Sequence, residues 1–202
     1  MKDRKTIREQ EMKKILVICG HPGEKSLNGS LAESYIKKSK KNNEVKSIFI
    51  SELKFDPILH EGYKVIQKLE PDLVEAQKKI KWAEHVVFFF PIWWGATPAL
   101  MKGFMERVFL PGFAFRFAQN KIFPEKRLLK GKTARVITTS GGPWWIYLLT
   151  FFPYKYMFNN FFLRYCGFGK IRNNSFFGIE TKSEEGIKSI FRKIEKLGEK
   201  GK

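Results

Sequence analysis

The stretch that decides the fold is Val86-Val87-Phe88-Phe89-Phe90-Pro91-Ile92-Trp93-Trp94-Gly95-Ala96-Thr97-Pro98. Its first five residues are an apolar run, which predicts a strand buried on both faces. Residues 99–109 then repeat apolar side chains at helical spacing, with Thr97 predicted as the N-cap and Pro98 as the first helical residue. The two tryptophans and the glycine therefore lie on a strand-to-helix turn. In an open α/β sheet that turn lies at the carboxyl edge of the strands, where a flat aromatic ligand would suit the flat side chains; the alternative is a packed loop with an aromatic plug.

Alternating elements surround this stretch. Besides 86–90, β-forming runs predict strands at 15–19, 45–50, 135–139 and 175–179. Helical patterns cover 27 to about 42, 71–84, 98–109 and 184–197, the last capped by Ser183, and an aromatic segment at 144–165 is predicted to be helical in part, with a break near Pro153. This alternation predicts an α/β fold with a five-stranded parallel sheet in the doubly wound order 2-1-3-4-5 and helices on both faces.

Composition limits the classes of protein that the chain can be. The 202 residues are 43% apolar and 15% aromatic, which excludes a disordered chain and predicts one domain with a substantial core. We expect this single domain to span 13–202, with 1–12 as a disordered basic extension. Cys19 and Cys166 lie in apolar surroundings at no metal-binding spacing, so we expect reduced core thiols and no metal site.

The formal net charge of +18 favours anionic ligands such as nucleotide cofactors or acidic lipids, although a solvated basic surface without a dedicated partner is the alternative. No nucleic-acid recognition motif occurs, and the aromatic residues do not follow a basic stripe, so we expect no nucleic-acid partner. Residues 1–10 are charged and lack the apolar segment of a secretory signal. A cytoplasmic location is therefore the expectation, with membrane association as an alternative.

Two more loops carry residues suited to a ligand. The loop after the first predicted strand places Ser26 and Asn28 at a helix N-terminus, where backbone N–H groups and the helix dipole favour an anion such as a nucleotide phosphate. Ordinary capping of the helix is the alternative. After the fourth predicted strand, Gly141 and Gly142 would let a ligand approach the backbone closely, unless they only form a turn. On one edge of the sheet, the three loops describe a phosphate pocket beside a slot for a flat ring, which is the shape of flavin mononucleotide.

These residues resemble a known family, the NAD(P)H:quinone reductases, which are flavodoxin-like flavoproteins. The resemblance covers nearly all of 13–197, and its most specific part is the block from Phe90 to Phe109. The other matching segments are Asp72-Leu73-Val74-x2-Gln77-Lys78-Lys79, Gly112-Phe113-Ala114-Phe115, His21-Pro22-x3-Ser26-Leu27-Asn28, Thr138-Thr139-x-Gly141-Gly142 and Leu163-x2-Cys166-Gly167-Phe168.

The resemblance implies a flavodoxin-like sheet and a homodimer with a flavin at each subunit interface. It implies a flavin phosphate on His21, Ser26, Leu27 and Asn28. It also implies that the flavin ring lies between two backbone segments. One segment is Pro91, Ile92, Trp93 and Trp94, and the other is Thr139, Ser140, Gly141 and Gly142. Tyr147 corresponds to a family tyrosine beside the flavin and is the one catalytic side chain that the resemblance implies.

The sequence departs from the family at two places. The family histidine six residues after Tyr147 is Pro153 here, which puts the stabilisation of negative charge on reduced flavin in doubt; backbone amides or Lys155 are alternative sources. The long C-terminal extension of the animal enzymes has no counterpart, which favours FMN as the cofactor, with FAD as the alternative.

The activity implied is two-electron hydride transfer by a ping-pong mechanism. NAD(P)H would reduce the flavin and leave, and a quinone or another small aromatic acceptor would take its place. We expect the shared substrate slot to be walled by Trp93, Trp94, Phe113, Trp144 and Trp145, with dimer or core packing as the alternative for the last two. The alternative function is a flavoprotein regulatory subunit of a membrane ion-efflux system, in which the aromatic segment and the basic surface would contact a membrane or a channel.

Overall fold

Five parallel strands form the central sheet, in a computed structural model that describes residues 12–23, 25–65, 67–117, 124–150 and 152–202. In chain order the strands of the protein are β1 Lys14–Cys19, β2 Glu44–Phe49, β3 His85–Pro91, β4 Phe115–Phe117, β5 Pro124–Arg127, β6 Thr133–Thr139 and β7 Ile171–Phe176. Strands β4 and β5 form a separate antiparallel hairpin, and the sheet order is β2-β1-β3-β6-β7. Without the hairpin this is the predicted order 2-1-3-4-5, which is confirmed. The predicted extension at 1–12 lies, except for Met12, outside the described residues.

The helices cover both faces of this sheet. They are α1 Leu27–Ser39, α2 Pro71–Trp82, α3 Ala99–Val108, α4 Trp144–Leu149, α5 Pro153–Tyr156 and α6 Glu184–Glu199, and a π-helical turn at Met157–Arg164 continues α5. The predicted break in the aromatic segment is confirmed, because α4 and α5 are separated at Phe152, whose φ of 49° is left-handed. The predicted cap of the last helix is also confirmed, since Ser183 Oγ accepts from the Gly186 N–H over 3.2 Å.

Strand β3 separates two hydrophobic cores, as its apolar run predicts. Val86, Phe88 and Phe90 point to the larger core under α2, α3 and the π-helical turn. Val87 and Phe89 point to the smaller core under α1 and α6. Every residue of β3 is buried, because helices cover both faces of the strand. The two predicted core thiols, Cys19 and Cys166, are buried and unpaired.

Two predicted element bounds are wrong. The last strand is Ile171–Phe176 and not 175–179, because parallel pairing with β6 aligns Ala134 with Ile171 and Thr139 with Phe176. This edge strand is only half-buried, so its sequence shows no apolar run. Helix α3 begins at Ala99 with Pro98 in the cap position, where the extended ψ of 149° keeps Pro98 outside the helix and leaves Thr97 without a capping role.

Candidate functional site

The loops after β1, β3 and β6 meet at the carboxyl edge of the sheet. The Ile92 N–H donates to the Thr139 carbonyl over 2.8 Å, which continues the β3–β6 pairing into the loops. On the other side of β3, the Gly20 N–H donates to the Phe89 carbonyl over 2.7 Å. The edge predicted to bind a ligand is therefore built from all three loops.

His21 joins the loop after β1 to the loop after β3. Its ring meets Trp93 edge-on, with ring centroids 5.5 Å apart and an interplanar angle of 73°. Within its own loop, His21 Nδ1 accepts from the Gly23 N–H over 2.9 Å. The ring is thus fixed between the predicted phosphate loop and the tryptophan turn.

The N-terminus of α1 offers backbone donors. Ser26 Oγ accepts from the Gly29 N–H over 3.0 Å, so the capping alternative is confirmed for this serine. The N–H groups of Leu27 and Asn28 have no acceptor among the described residues. Unpaired N–H groups at the positive end of a helix dipole form an anion site.

Asn28 does not cap its helix. Its side chain is buried, and Nδ2 donates to Thr139 Oγ1 over 2.8 Å, so the amide connects α1 to the end of β6. The other side-chain atom, Oδ1, is buried without a hydrogen-bond partner in the part of the chain that the structure describes. An orphaned buried acceptor needs an explanation, and an absent ligand is one.

The tryptophan turn is tight and strained. The backbones of Trp93 and Ala96 exchange two hydrogen bonds of 3.0 and 2.9 Å, and both central residues have positive φ, 50° at Trp94 and 72° at Gly95. Glycine adopts this conformation freely, whereas in Trp94 it is strained. The turn projects the Trp94 side chain into solvent, where it is fully exposed, while Trp93 is 44% exposed.

The loop after β6 is fixed by Ser140 and β7. The Ser140 N–H donates to the Phe176 carbonyl over 2.9 Å, and Ser140 Oγ accepts from the Gly142 N–H over 3.1 Å. A Cβ on Gly141 would lie 2.8 Å from a Glu180 carboxylate oxygen, so the Glu180 side chain packs beside this loop. No sequence motif marked Glu180, which approaches the loop only because the chain after β7 turns back over it.

Tyr147 stands beside this loop. Its hydroxyl lies 2.6 Å from Ser140 Oγ, and its ring contacts those of Tyr154 and Phe177 at centroid distances of 5.8 and 5.1 Å. Tyr154 is buried with its hydroxyl 2.9 Å from Ser175 Oγ, and burial raises the pKa of that phenol. Sequence analysis missed this tyrosine and serine, although the β6–β7 register places Ser175 opposite Thr138.

One chain does not bring the predicted slot residues together. Phe113 packs against Phe109 at a centroid distance of 6.3 Å, in the larger core. Trp144 and Trp145 lie on α4, more than half exposed, and no aromatic contact in the described ranges joins them to the tryptophan turn. If these side chains wall one slot, a second molecule must complete it.

An apolar cavity of about 570 Å³ opens beside the tryptophan turn. It lies between α3, the β4 strand and the segment 153–166, and it begins at Gly95 and Thr97. Its aromatic and sulfur-bearing walls are Tyr63, Met105, Phe109, Phe115, Phe117, Tyr154, Met157, Phe158, Phe161, Phe162, Tyr165 and Cys166. The pKa of the Cys166 thiol is raised to about 12 by burial, so this thiol is uncharged at neutral pH. The charged residues that line the cavity are Lys102 and Glu106.

Comparison with known proteins agrees with this geometry. A family model described as having a flavodoxin-like fold matches residues 13–198. Mouse ribosyldihydronicotinamide dehydrogenase (quinone) is 30% identical over 200 residues, which cover 86% of this chain and 85% of the relative. The chain belongs to the NAD(P)H:quinone reductase family of flavodoxin-like proteins.

Solved structures of this fold include bacterial proteins. Smu.1420 from Streptococcus mutans superposes with a TM-score of 0.79 and 26% identity over 92% of this chain and 98% of that one. An FMN-dependent NADH-azoreductase from Bacillus anthracis, in complex with FMN, has a TM-score of 0.68 and 18% identity over 94% and 99% of the two chains. At that identity the second likeness shows a shared fold and no more.

Proposed function

We propose that this member of the family is a flavin-dependent NAD(P)H:quinone oxidoreductase. The observation that carries the proposal is the junction of three loops at Asn28, Thr139 and Ile92, with unpaired N–H groups on one side and a backbone edge on the other. A phosphate and a flat ring need these two features side by side. The named activity of the mouse relative agrees with that chemistry.

The proposed cofactor fits the residues present. Unpaired N–H groups of Leu27 and Asn28 would receive the phosphate, with Ser26 and His21 beside them. The backbones of 91–94 and 139–142 would hold the ring. When bound, the flavin supplies two-electron transfer between the nicotinamide and the quinone, and the protein supplies orientation and electrostatics. FMN is our choice over FAD, and a fold neighbour binds FMN.

Tyr147 is the side chain we assign beside the ring. Its hydroxyl shares a hydrogen bond with Ser140 Oγ, so a proton or a hydrogen-bond donor is available at the edge of the 139–142 loop. Pro153 is the first residue of α5, and its side chain has no proton and no hydrogen-bond donor to offer a flavin. Lys155 lies with Nζ 5.9 Å from the Phe152 ring centroid and faces that ring, and we propose no role for it in charge stabilisation.

We also propose that the active form is a homodimer. The cavity beside the tryptophan turn is flanked by exposed apolar side chains, of which Phe117, Met157 and Phe161 are 36%, 56% and 60% exposed. A patch of this kind on one chain is typical of a protein–protein contact. A second copy would cover it and complete the slot that one chain leaves open.

The alternative role, a regulatory subunit of a membrane ion-efflux system, is supported only by the exposed aromatic segment and the basic charge. Turnover of quinone separates it from the enzyme, because a regulatory flavoprotein need not turn over. Co-purification with a channel would favour the regulatory role.

The test is to purify the protein, release any chromophore by heat and identify it by chromatography. We expect FMN at one per chain and steady-state quinone reduction by NADH or NADPH. Initial rates at several quinone concentrations should give parallel double-reciprocal lines, as a ping-pong exchange in one slot requires. A colourless protein that binds neither FMN nor FAD at micromolar concentrations would overturn the proposal.

A further inference from the structure

Tyr154 is buried between the apolar cavity and Tyr147. It is the second residue of α5, is 5% exposed, and lines the cavity beside the tryptophan turn. Its ring meets the ring of Tyr147 edge-on, with centroids 5.8 Å apart and an interplanar angle of 90°. Tyr154 therefore contacts the side chain that the proposed function places beside the flavin ring.

We propose that Tyr154 is a positioning residue: it fixes the ring of Tyr147 and so holds the Tyr147 hydroxyl at Ser140, on the edge of the 139–142 loop. The inference rests on the proposed flavin-dependent function and deepens it by adding a residue that acts through Tyr147. Tyr154 is given no contact with the flavin or the quinone, so its whole effect on the reaction passes through the second tyrosine.

The sheet anchors the phenol of Tyr154. Its hydroxyl lies 2.9 Å from Ser175 Oγ, and the Thr138 hydroxyl donates to the same oxygen over 2.9 Å. Thr138 and Ser175 are register partners on β6 and β7, and Thr138 directly precedes the 139–142 loop. Burial raises the pKa of the Tyr154 phenol, so the hydroxyl stays protonated and able to donate. A side chain bonded to the sheet at the base of the loop is a rigid support for the ring that packs against it.

Helix α4 depends on support of this kind. It has six residues, too few for a stable helix on its own, and it buries none of them. Tyr147 is half-buried, whereas the other five residues of α4 are exposed. Besides the contact with Tyr154, the Tyr147 ring packs on Phe177 at a centroid distance of 5.1 Å. The Phe152 N–H donates to the Tyr147 carbonyl over 2.8 Å. The contacts of Tyr147 therefore hold α4 against the protein.

Two other roles for Tyr154 would give different results. A residue that only fills the core would change the stability of the protein and leave its catalytic constants alone. A residue that binds the quinone in the cavity would change KM, whether or not Tyr147 has its hydroxyl. A residue that acts through the Tyr147 hydroxyl loses its effect on the reaction when that hydroxyl is absent, and a double-mutant cycle measures this loss.

The test is this cycle in the full-length, flavin-loaded enzyme with a water-soluble quinone. We expect Tyr154→Leu, which removes the ring and the hydroxyl, to lower kcat/KM roughly tenfold, mostly through kcat, at unchanged flavin content. In the Tyr147→Phe background the same change should lower kcat/KM by less than about twofold. Tyr156→Leu, the same substitution at a 59% exposed position of α5, is the matched control and should behave like wild type.

Two further variants separate the ring of Tyr154 from its anchor. Tyr154→Phe keeps the ring against Tyr147 and loses the hydroxyl, so kcat/KM should fall roughly threefold. Ser175→Ala removes the anchor from the other side and should cause a similar loss, also about threefold. The two changes together should cost no more than either alone, because both break the same hydrogen bond. These variants also cover the case in which Tyr154→Leu fails to fold.

A measurement without turnover uses the flavin-free protein. With isotope-labelled tyrosine rings, the Tyr147 signals are identified by their absence from the spectrum of Tyr147→Phe. We expect a nuclear Overhauser contact between the rings of Tyr147 and Phe177 in the wild type and in Tyr154→Phe, and its loss in Tyr154→Leu. If the wild type reduces no quinone, the proposed function fails, and this contact still decides whether Tyr154 fixes Tyr147.

Three results would overturn the proposal. One is a Tyr154→Leu variant that keeps either the kcat/KM or the Tyr147–Phe177 ring contact of the wild type. The second is an equal loss of kcat/KM with and without the Tyr147 hydroxyl, since Tyr154 would then act independently of it. The third is a rise in KM at unchanged kcat, which would make Tyr154 part of a quinone-binding wall.

Discussion

Asn28 Nδ2 donates to Thr139 Oγ1 over 2.8 Å, so the first helix and the end of β6 are joined by a buried side-chain hydrogen bond. The two residues are 111 positions apart in the chain, and both are buried. The bond orients the asparagine amide and leaves its Oδ1 without a partner among the described residues. The candidate cofactor site therefore contains one side chain whose hydrogen bonding is half complete.

Asn28→Ala should weaken FMN binding by roughly tenfold, because it removes a polar group beside the proposed phosphate site. The stability of the flavin-free protein should change little, since the change removes an orphaned acceptor together with one hydrogen bond. Quenching of flavin fluorescence measures the dissociation constant. Asn43→Ala is the matched control, because Asn43 bonds the Ser39 carbonyl at the other end of α1. Unchanged FMN binding in Asn28→Ala would place the cofactor elsewhere.

Tyr147→Phe should lower kcat/KM for quinone roughly tenfold at unchanged flavin content, because it removes the hydroxyl that shares a 2.6 Å hydrogen bond with Ser140. Steady-state kinetics and the absorbance of bound flavin report the two quantities. Tyr156→Phe, at a 59% exposed position, is the control and should behave like wild type. Equal kcat/KM in both variants would remove Tyr147 from the catalytic machinery.

Gly103→Ala should destabilise the protein by about 2 kcal/mol or more, because a Cβ at this position in α3 would lie 2.6 Å from the Pro57 carbonyl oxygen. Backbone cannot yield as a flexible side chain can. Gly186→Ala in α6 is the matched helical control, since its Cβ would make contacts of 3.4 Å or longer. That variant should gain about 0.5 to 1 kcal/mol from helix propensity. Urea unfolding measures the free energy of unfolding of both variants. We expect it to fall in Gly103→Ala and to rise in Gly186→Ala.

Arg107 fixes the long connection between β2 and α2 to helix α3. It is fully buried, pairs with Glu70 at 2.9 Å, donates to the Lys68 carbonyl at 3.0 Å and also bonds the Asp56 carbonyl. Arg107→Met should cost about 3 to 5 kcal/mol of unfolding free energy, because it leaves Glu70 and two carbonyls without their donor. Lys188→Met breaks the exposed pair with Glu184 and should change stability by less than about 1 kcal/mol. Similar losses of unfolding free energy in both variants would show that burial does not make the Arg107–Glu70 pair more important for stability than the exposed pair.

Much of the fold could be predicted because its main elements are strongly patterned. The run at 86–90 is buried on both faces, and such a run reads clearly as a central strand. The edge strand β7, Ile-Arg-Asn-Asn-Ser-Phe, could not be located, because its pairing to β6 and not its own apolarity defines it. Helix α3 starts at Ala99, one residue after the predicted start, because the backbone of Pro98 is extended.

The candidate site was predicted where local motifs carry it and missed where tertiary contacts do. His21 and Ser140 lie in loops that contain glycine and proline, and Asn28 lies in the first turn of α1. Their place at one edge of the sheet therefore followed from topology. Tyr154 and Glu180 approach the site through the folding back of later segments. Nothing in their local sequence signals this, and only the sheet register and the turn after β7 bring them there.

Burial of His85 at the start of β3 makes the stability of the protein depend on pH. The residue is 7% exposed, its Nδ1 lies 2.7 Å from Thr133 Oγ1, and burial, with the positive charge of Arg135, lowers its pKa to about 4. In the unfolded chain the pKa of His85 is near 6.5, so below that pH the unfolded chain binds a proton that the folded protein does not bind. The contribution of the neutral imidazole to the free energy of unfolding is therefore complete above pH 6.5 and is lost as the pH falls towards 4.

His85→Gln keeps a hydrogen-bonding group for Thr133 and cannot take up a proton. Between pH 7 and pH 4.5 the wild type should lose roughly 2 to 3 kcal/mol more unfolding free energy than this variant. Urea unfolding at the two pH values measures the difference, and comparing slopes cancels any constant cost of the substitution. The His85 Cε1 proton signal in a pH titration gives an independent reading, because it should stay that of neutral imidazole at pH 5. A His85 signal that titrates near 6.5, or equal slopes for the two proteins, would show that the folded protein accommodates the imidazolium and that burial does not control its charge.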